Sequence, residues 1–218
     1  MNKVFYNGDL KGVGEAAVPV GDTGLLYGAG VFETMRAEGG KVWRFERHME
    51  RMRRSGEALS VMMDFDNDHI AGAVSEVMEA NGLIDARVRV TVTNGWLDEQ
   101  GKARGSLVVA AGELGGYPAE CYEKGVRVVV TDFKQNGADP LCGHKSTSYY
   151  SRLLVLNAAN AKGASEALWF NTDNYLAEGC VSNVFLVKEG RMLTPGLDTP
   201  VLGGIVRREV LEVAARLI

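Results

Sequence analysis

The chain has 218 residues and a formal net charge of −4, with 46% hydrophobic and 24% charged residues. This composition is typical of a globular protein with a sizeable core, and it argues against a nucleic-acid-binding protein, which would usually carry a basic excess. No window approaches the ~20 apolar residues that a membrane-spanning helix needs.

The numbers and spacing of cysteines and histidines further narrow the possible classes of protein. The three cysteines are widely spaced and odd in number, which argues against a disulfide framework. The opening residues MNKVFYNGDL lack the apolar run of a secretory signal, so we expect a cytoplasmic location. The three histidines lie far apart, and the sequence therefore predicts no histidine-based metal site.

The first part of the chain alternates between strand and helix patterns. GVFETMRAEGGKVWRF has the period-two pattern of a hairpin that turns at Gly39-Gly40, and Asn81-Gly82 is a helix stop signal. The predicted elements are, in chain order, strands over 3–6 and 15–20, the hairpin over 30–45, helices over 46–60 and 68–83, and strands over 86–93 and 105–112 that flank a loop containing Trp96 and Arg104.

Residues 114–124, rich in glycine and charge, are predicted to be a linker between an N-terminal domain (1–113) and a C-terminal domain (125–218). Strands grouped around helices in two successive units predict an α+β protein. The predicted elements after the linker are a strand over 126–132, a loop over 133–144, a helix over 148–162, strands over 166–170, 175–179, 183–187 and 191–195, and a helix from about 203.

Several residues in this frame could carry chemistry. Lys145 lies between the long loop and a helix, where a lysine can become a nucleophile, although most lysines are simply solvated. Glu178 ends a short strand, and a carboxylate there could hold a cationic ring nitrogen or be an ordinary turn residue.

Two further features suit a phosphate group. LGGIVRR places two glycines before a helix, whose first N–H groups can bind phosphate, although such glycines are also ordinary in loops. Arg51 shares a helix face with His48 and Ser55, and an inward arginine can clamp phosphate with two donors. A lysine, an acid, an arginine and a glycine-led helix start are together the parts that hold pyridoxal phosphate.

The sequence resembles the class IV aminotransferase family, the fold-type IV pyridoxal-phosphate enzymes, over the chain from about Asp22 to its end. That family includes branched-chain aminotransferases, D-amino acid aminotransferases and aminodeoxychorismate lyases. The matching segments are, in order, DTGLLYGAGVFETMR, RHMERM, HKSTSYY, YLAEGCVSNVFLV and TPGLDTPVLGGIVRR.

The resemblance implies a two-domain fold, with a small N-terminal α/β domain and a C-terminal pseudo-barrel domain. It also implies pyridoxal 5'-phosphate as the cofactor, small amino acid and 2-oxo acid substrates, and a homodimer. Family members continue several dozen residues beyond the position of Ile218, so the resemblance implies that the end of the second domain is missing here.

The resemblance also assigns roles to individual residues. Lys145 corresponds to the Schiff-base lysine, Glu178 to the partner of the pyridine nitrogen and Arg51 to the phosphate-binding arginine of an H-x-x-R motif. The further matches are Ile205 and Val206 for backbone N–H contacts to phosphate, Ser182, Asn183 and Tyr149 beside the cofactor, and Phe32 and Arg89 in the substrate pocket, with Arg89 a possible partner of a substrate carboxylate.

The implied activity is transfer of an amino group between an amino acid, possibly branched-chain, and a 2-oxo acid through Lys145. The alternative within the family is a lyase that releases pyruvate from 4-amino-4-deoxychorismate to give 4-aminobenzoate. LYGAGVFETMR and TPGLDTPVLGG resemble the lyases at least as closely. A weaker alternative is a non-catalytic pyridoxal-phosphate-binding scaffold.

Val206 departs from the family pattern. Many members have threonine at this position, and valine would remove a hydroxyl contact to phosphate.

Overall fold

The computed structural model describes residues 2–217. These residues divide into two compact units. The first unit runs up to Gly116 and also includes Lys145–Ser148, whereas the second comprises Tyr117–His144 and the residues from Tyr149 onward.

The first unit is built on one antiparallel sheet and three helices among its described residues. The strands are β1 (Lys3–Tyr6), β2 (Asp9–Gly12), β3 (Gly30–Glu38), β4 (Lys41–Val42), β5 (Ala86–Leu97) and β6 (Ala103–Glu113). The helices are α1 (Thr23–Tyr27), α2 (Phe45–Ala58) and α3 (Asn67–Ala80). The strand order in the sheet is β2-β1-β6-β5-β3-β4, so β3 lies next to β5 near one edge.

The core of the first unit is formed by one face of this sheet together with α2 and α3. Val88 and Val90 of β5 are fully buried in the same apolar cluster as Met49 and Met52 of α2. Burying a side chain of this size contributes roughly 1.5–3 kcal/mol. Because successive strand residues point to opposite faces, the intervening Arg89 lies on the other face of the sheet, where it is exposed.

The second unit contains smaller sheets. Its strands are β7 (Val128–Gln135), β8 (Glu166–Asn171), β9 (Leu176–Gly179), β10 (Leu186–Lys188) and β11 (Arg191–Leu193), and its helices are α4 (Ala119–Glu123), α5 (Tyr150–Ala161) and α6 (Ile205–Leu217). β7 is parallel to β8, β9 is antiparallel to β8, and β10 pairs with β11. Parallel strands need a crossover, and here the crossover contains α5.

The α+β class predicted from the sequence is confirmed, and so are the elements that carry clear turn signals. Gly39 and Gly40 have φ values of 57° and 77° and join β3 to β4. Two consecutive positive φ angles suit a tight hairpin turn. Helix α3 ends at Ala80, and Gly82 has a φ of 65°, as its stop signal predicts.

The strand predicted over 15–20 is wrong, because these residues form a turn followed by irregular chain. Pro19 has no N–H to donate to a sheet, and β1 pairs with β2 instead. The helix predicted over 148–162 is shorter, from Tyr150 to Ala161. The predicted strands over 183–187 and 191–195 are reduced to β10 and β11.

Two predicted loops contain strand. β7 continues through Phe133 to Gln135. β5 and β6 extend through the pair Trp96–Arg104 to the pair Leu97–Ala103. A bulge between Thr93 and Trp96 permits this extension. Gly95 lies in the bulge with a φ of 63°, and a Cβ there would be 1.5 Å from the Arg104 carbonyl oxygen. A bulge of this kind cannot be read from hydrophobic alternation alone.

Within residues 2–217, no helix is long and apolar enough to cross a membrane.

Candidate active site

Lys145 lies in a short segment that pairs with strand β3. Phe32 donates its backbone N–H to the carbonyl oxygen of Lys145 over 2.9 Å, and Ser146 forms an antiparallel bridge with Val31. The side chain of Lys145 is half-buried, with Nζ 4.7 Å from the centroid of the Phe32 ring. The backbone of Lys145 is therefore fixed by the sheet, and its amine lies against an aromatic face.

Two glycines of the YGAG segment allow this close pairing. A Cβ on Gly28, whose φ is +71°, would lie 2.3 Å from Ser148 Oγ, and one on Gly30 would lie 2.7 Å from the Val92 carbonyl oxygen. Thr147 Oγ1 also donates to the Gly28 carbonyl over 2.7 Å. A side chain is excluded at Gly28 by the lysine segment, and at Gly30 by the neighbouring strand β5 and by Thr147 Oγ1, which would lie 3.0 Å from the Cβ.

Phe32 and Arg89, the two residues predicted to line the substrate pocket, are in direct contact. Arg89 Cζ lies 3.7 Å from the Phe32 ring centroid, and Arg89 Nε donates to Thr91 Oγ1 over 3.2 Å. Since Lys145 also lies near this ring, two basic side chains share one aromatic residue. Such cation–π contacts are worth about 0.5–2 kcal/mol each. Lys145, Phe32 and Arg89 thus form one cluster in the first unit.

Arg51 is buried, as its inward helix face predicts, and it is bound to Glu33. Arg51 Nε donates to Glu33 Oε1 over 2.8 Å, and Arg51 Nη2 donates to Glu33 Oε2. His48 Nδ1 lies 2.8 Å from Oε2 of the same glutamate, whose side chain is fully buried. Residues three apart on α2 face the same way, so His48 and Arg51 reach one carboxylate together.

The ionisation of Glu33 follows from these contacts. Burial alone would raise the pKa of Glu33, because it disfavours the charged form. The hydrogen bonds to His48 and Arg51, together with the charge of Arg51, outweigh burial and lower the pKa below its usual value. Sequence analysis did not identify Glu33, although an acid within the apolar strand run GVFETM is a usable signal of a buried ion pair.

Glu178, the predicted partner of a ring nitrogen, is a buried carboxylate at the end of β9. Its Oε1 accepts hydrogen bonds from Gln135 Nε2, over 3.0 Å, and from Arg152 Nη2. Its Oε2 accepts from the Leu202 backbone N–H over 3.0 Å and from Asn183 Nδ2 over 3.4 Å. A buried carboxylate needs such donors, since its desolvation is otherwise costly.

Asn183 connects this carboxylate to the loop before α6. Its Nδ2 also donates to the Leu202 carbonyl oxygen over 2.9 Å. A Cβ on Gly204 would lie 2.0 Å from Asn183 Oδ1, so glycine is required where the loop packs on the asparagine. The predicted pair of Glu178 and Asn183 is therefore adjacent in the structure, and the glycine-led loop lies beside it.

Tyr149 and Ser182 lie near the same turn, and each forms a hydrogen bond to a residue other than Glu178. Tyr149 donates its hydroxyl to the Cys180 carbonyl over 2.8 Å, and burial raises the pKa of Tyr149. Ser182 is exposed and donates Oγ to Glu166 Oε2 over 2.9 Å. The first bond joins Tyr149 to the turn after Glu178, and the second joins this turn to Glu166 on β8.

Helix α6 begins at Ile205, as the GGIV pattern predicts. Ile205 is buried, whereas the Val206 side chain is 64% exposed. The first N–H groups of a helix have no intrahelical partner, and they attract anions. Arg207 adds a cation in the first turn; its Nη2 donates to the Pro195 carbonyl, and its buried Nε has no hydrogen-bond partner among the described residues.

The predicted residues are thus divided between the two units. The contacts join Lys145 and Arg89 to Phe32 in the first unit. In the second unit they join Asn183 to Glu178. Sequence reasoning missed Glu33, Gln135 and Arg152, which are partners of predicted residues. Arg152 lies in the HKSTSYYSRLL stretch but follows no recognised motif, and Gln135 lies in a segment predicted to be a loop. Among the described residues, no group of three or more histidine, cysteine or acidic side chains could hold a metal ion.

Comparison with known proteins identifies the family. Residues 30–218 match the family model described as amino-transferase class IV. The chain is 30% identical over 222 residues to the branched-chain-amino-acid aminotransferase of Pseudomonas aeruginosa, a match that covers 97% of this chain and 72% of that protein. Nearly the whole length of the chain therefore aligns with that aminotransferase.

Solved structures share the fold. The T.th. branched-chain amino acid aminotransferase in complex with N-(5'-phosphopyridoxyl)-L-glutamate superposes with a TM-score of 0.87 at 26% identity, covering 99% of this chain and 74% of that one. A Legionella pneumophila protein, provisionally named 4-amino-4-deoxychorismate lyase, has the same fold, with a TM-score of 0.81 at 24% identity over 92% of this chain and 74% of that one. The chain therefore belongs to the class IV aminotransferase family.

Proposed function

We propose that this protein is a pyridoxal 5'-phosphate-dependent aminotransferase that transfers an amino group between an amino acid, possibly branched-chain, and a 2-oxo acid. The observation that carries the proposal is Lys145, whose backbone is paired with β3 and whose amine lies against Phe32. The similarity to a branched-chain aminotransferase over nearly the whole chain supports the choice of reaction and substrate class.

Each unit contains residues with chemistry that suits the proposed cofactor. Lys145 would be its covalent attachment point, and Glu178 is a buried carboxylate able to face a cationic ring nitrogen. The start of α6 offers backbone N–H groups at Ile205 and Val206, together with the unpartnered Nε of Arg207, which suit a phosphate. Arg51 is a further proposed phosphate contact, and its pairing with Glu33 fixes the orientation of its guanidinium.

When bound, pyridoxal phosphate supplies an electron sink for the bond that breaks at the substrate Cα. The side chains of the protein would then transfer the protons and compensate the charges. Lys145, as a neutral amine, would take the proton from Cα as a general base and deliver it to C4′ of the cofactor as a general acid. Glu178 would hold a proton on the ring nitrogen, and Arg89, which lies over the Phe32 ring, would orient the substrate carboxylate.

Reduction of the protein with borohydride in the presence of pyridoxal phosphate tests the role of Lys145. Peptide mass mapping should place the reduced adduct on Lys145, and the variant Lys145→Ala should lose the adduct. Lys134→Ala is the matched control and should keep it. An adduct on Lys134 or Lys162, or none in the unmodified protein, would show that the proposal is wrong.

The second candidate function is the release of pyruvate from 4-amino-4-deoxychorismate. The specific observation in its favour is the pair of segments LYGAGVFETMR and TPGLDTPVLGG, which resemble lyases as closely as aminotransferases. A transaminase converts an added 2-oxo acid to an amino acid in step with loss of the donor, whereas a lyase needs no acceptor. Pyruvate release without any 2-oxo acid, together with negligible amino transfer, would favour the lyase.

A further inference from the structure

Arg152 is held in place by the turn that follows Glu178. Besides its bond to Glu178 Oε1, its Nη1 donates to the Gly179 carbonyl over 3.1 Å and to the Cys180 carbonyl over 3.3 Å. Its guanidinium lies 5.8 Å from the ring centroid of Tyr149 and 5.9 Å from that of Trp169. Only 20% of the Arg152 side chain is exposed, so its charge is poorly screened by water.

This arrangement makes the two oxygens of Glu178 unequal. Oε1 receives the charged donor of Arg152 and the amide of Gln135. Oε2 receives only uncharged donors, and the one from Asn183, at 3.4 Å, is longer than a well-formed N–H···O bond. Asn183 keeps a second, shorter bond to the Leu202 carbonyl, so it can release Oε2 without being left unpaired.

We infer that Arg152 is a positioning residue for Glu178, the proposed partner of the ring nitrogen. Arg152 fixes Oε1 of Glu178 and leaves Oε2 to face the ring nitrogen. Its positive charge also offsets the negative charge that would hold a proton on that nitrogen. The inference rests on the proposed function. A carboxylate with no cation beside it favours a protonated, cationic ring, whereas a guanidinium bonded to the same carboxylate opposes it. Arg152 thereby sets how strongly the ring nitrogen is protonated.

The other titratable groups around this pair do not supply the same effect. Among them are Tyr149, Cys142, Cys180, Asp139 and Glu166. Burial raises the pKa of Tyr149, Cys142 and Cys180, so these three stay uncharged near neutral pH. The carboxylate of Glu166 is bound to the Cys180 backbone N–H and the Ser182 hydroxyl, and Asp139 caps the backbone N–H of Leu141.

The test is the pH titration of the ring nitrogen, followed by ¹⁵N NMR of the protein loaded with ¹⁵N-labelled pyridoxal phosphate. Arg152→Met removes the charge at similar length, and it should raise the titration midpoint by on the order of one pH unit, which is tenfold in the protonation equilibrium. Arg152→Lys keeps a charge and should stay within about half a unit of the parent protein. Arg104→Met, at an exposed ion pair, is the matched control and should not move it.

A purely structural role for Arg152 predicts the opposite sign. If Arg152 served only to keep Glu178 in place, its loss would weaken the acceptor and lower the midpoint. A lower or unchanged midpoint in Arg152→Met therefore overturns the inference. If Arg152→Met does not fold, Arg152→Lys decides, since a midpoint more than about one unit from the parent contradicts the charge argument. Failure of the parent protein to bind pyridoxal phosphate refutes the proposed function itself, and the inference with it.

Discussion

The two buried glutamates of this protein, Glu33 and Glu178, are stabilised in different ways. Glu33 has its partners on one helix, α2, where a single arginine binds both of its oxygens. Glu178 takes donors from separate parts of the chain, and only one of its oxygens receives a charged donor. The first carboxylate is the fixed counter-ion of an arginine, whereas the second retains an oxygen that can change its partner.

This difference shows that burial alone does not indicate the function of an acid. Both side chains are at most 3% exposed, so exposure does not distinguish them. What distinguishes them is where their donors come from and which donors carry charge. We therefore expect substitutions at Glu33 to change mainly the stability of the first unit, and substitutions at Glu178 to change mainly the chemistry.

The largest expected effect is that of Glu33→Gln. The neutral amide would leave Arg51 buried without its counter-charge, and removing one member of a buried ion pair costs about 3–5 kcal/mol. The loss should appear as faster native-state hydrogen exchange of the β3 amides, including the Phe32 N–H that is bonded to Lys145.

Glu38→Gln on the same strand is the matched control for Glu33→Gln. Glu38 pairs with Arg36 at the surface, where both side chains are more than half exposed. Such a pair is worth about 0–1 kcal/mol, so exchange from β3 should change little. If Glu33→Gln is no more destabilising than Glu38→Gln, the view of Glu33 as a required counter-ion is wrong.

The next effect is that of Glu178→Ala on turnover. Loss of the proposed ring-nitrogen partner should leave the cofactor bound but slow proton transfer at Cα by on the order of 10²-fold. Steady-state turnover with the best amino donor and absorbance of the bound cofactor measure the two parts separately. Glu120→Ala, at the exposed pair with Lys124, is the control and should keep normal turnover. Near-normal turnover of Glu178→Ala would show that the carboxylate has another role.

Gly204→Ala tests the dependence of Glu178 on a distant backbone segment. The new methyl group would lie 2.0 Å from Asn183 Oδ1, so either the loop or the asparagine must move. Forcing a group into a packed site typically costs about 1–3 kcal/mol, which urea unfolding can measure. Gly72→Ala in α3 is the control, because a Cβ there meets nothing within 4 Å and should stabilise the helix by roughly 0.5–1 kcal/mol. Equal stability of the two variants would mean that the Asn183–Gly204 contact is unimportant.

Much of the fold and of the candidate site could be predicted from the sequence, because the signals are local. Helices α2 and α3 show helical periodicity, and the glycine pair between β3 and β4 fixes a tight turn. The motif resemblance likewise selected Lys145 and Glu178, whose roles stay predictions. Each of these features depends on residues close to one another in the chain, so one stretch of sequence contains the whole signal.

The parts that could not be predicted depend on partners far away in sequence. Arg152 and Gln135 have meaning only once β9 brings Glu178 to them, over sequence separations of 26 and 43 residues. The bulge at Gly95 depends on how β6 lies against β5, and the predicted strand over 15–20 failed because no neighbouring strand pairs with it. In such cases the structure depends on contacts between residues far apart in sequence, and local residue patterns contain little information about those contacts.

The last and smallest expected effect concerns acid pH. Because the pKa of Glu33 is lowered in the folded protein, its stabilising contribution is fully present above the unfolded value of about 4.5. As the pH falls below that value, the unfolded chain gains a proton that folded Glu33 does not accept, so stability falls until the pH passes the folded pKa. Hydrogen exchange of the β3 amides, compared at matched intrinsic exchange rates from neutral pH into this acid range, should show this loss in the parent protein and in Glu38→Gln. Glu33→Gln lacks the titrating group, and the difference between its opening free energy and that of the parent should therefore narrow as the pH falls. A difference that stays constant across the acid range would show that Glu33 does not titrate as its ion pair with Arg51 requires.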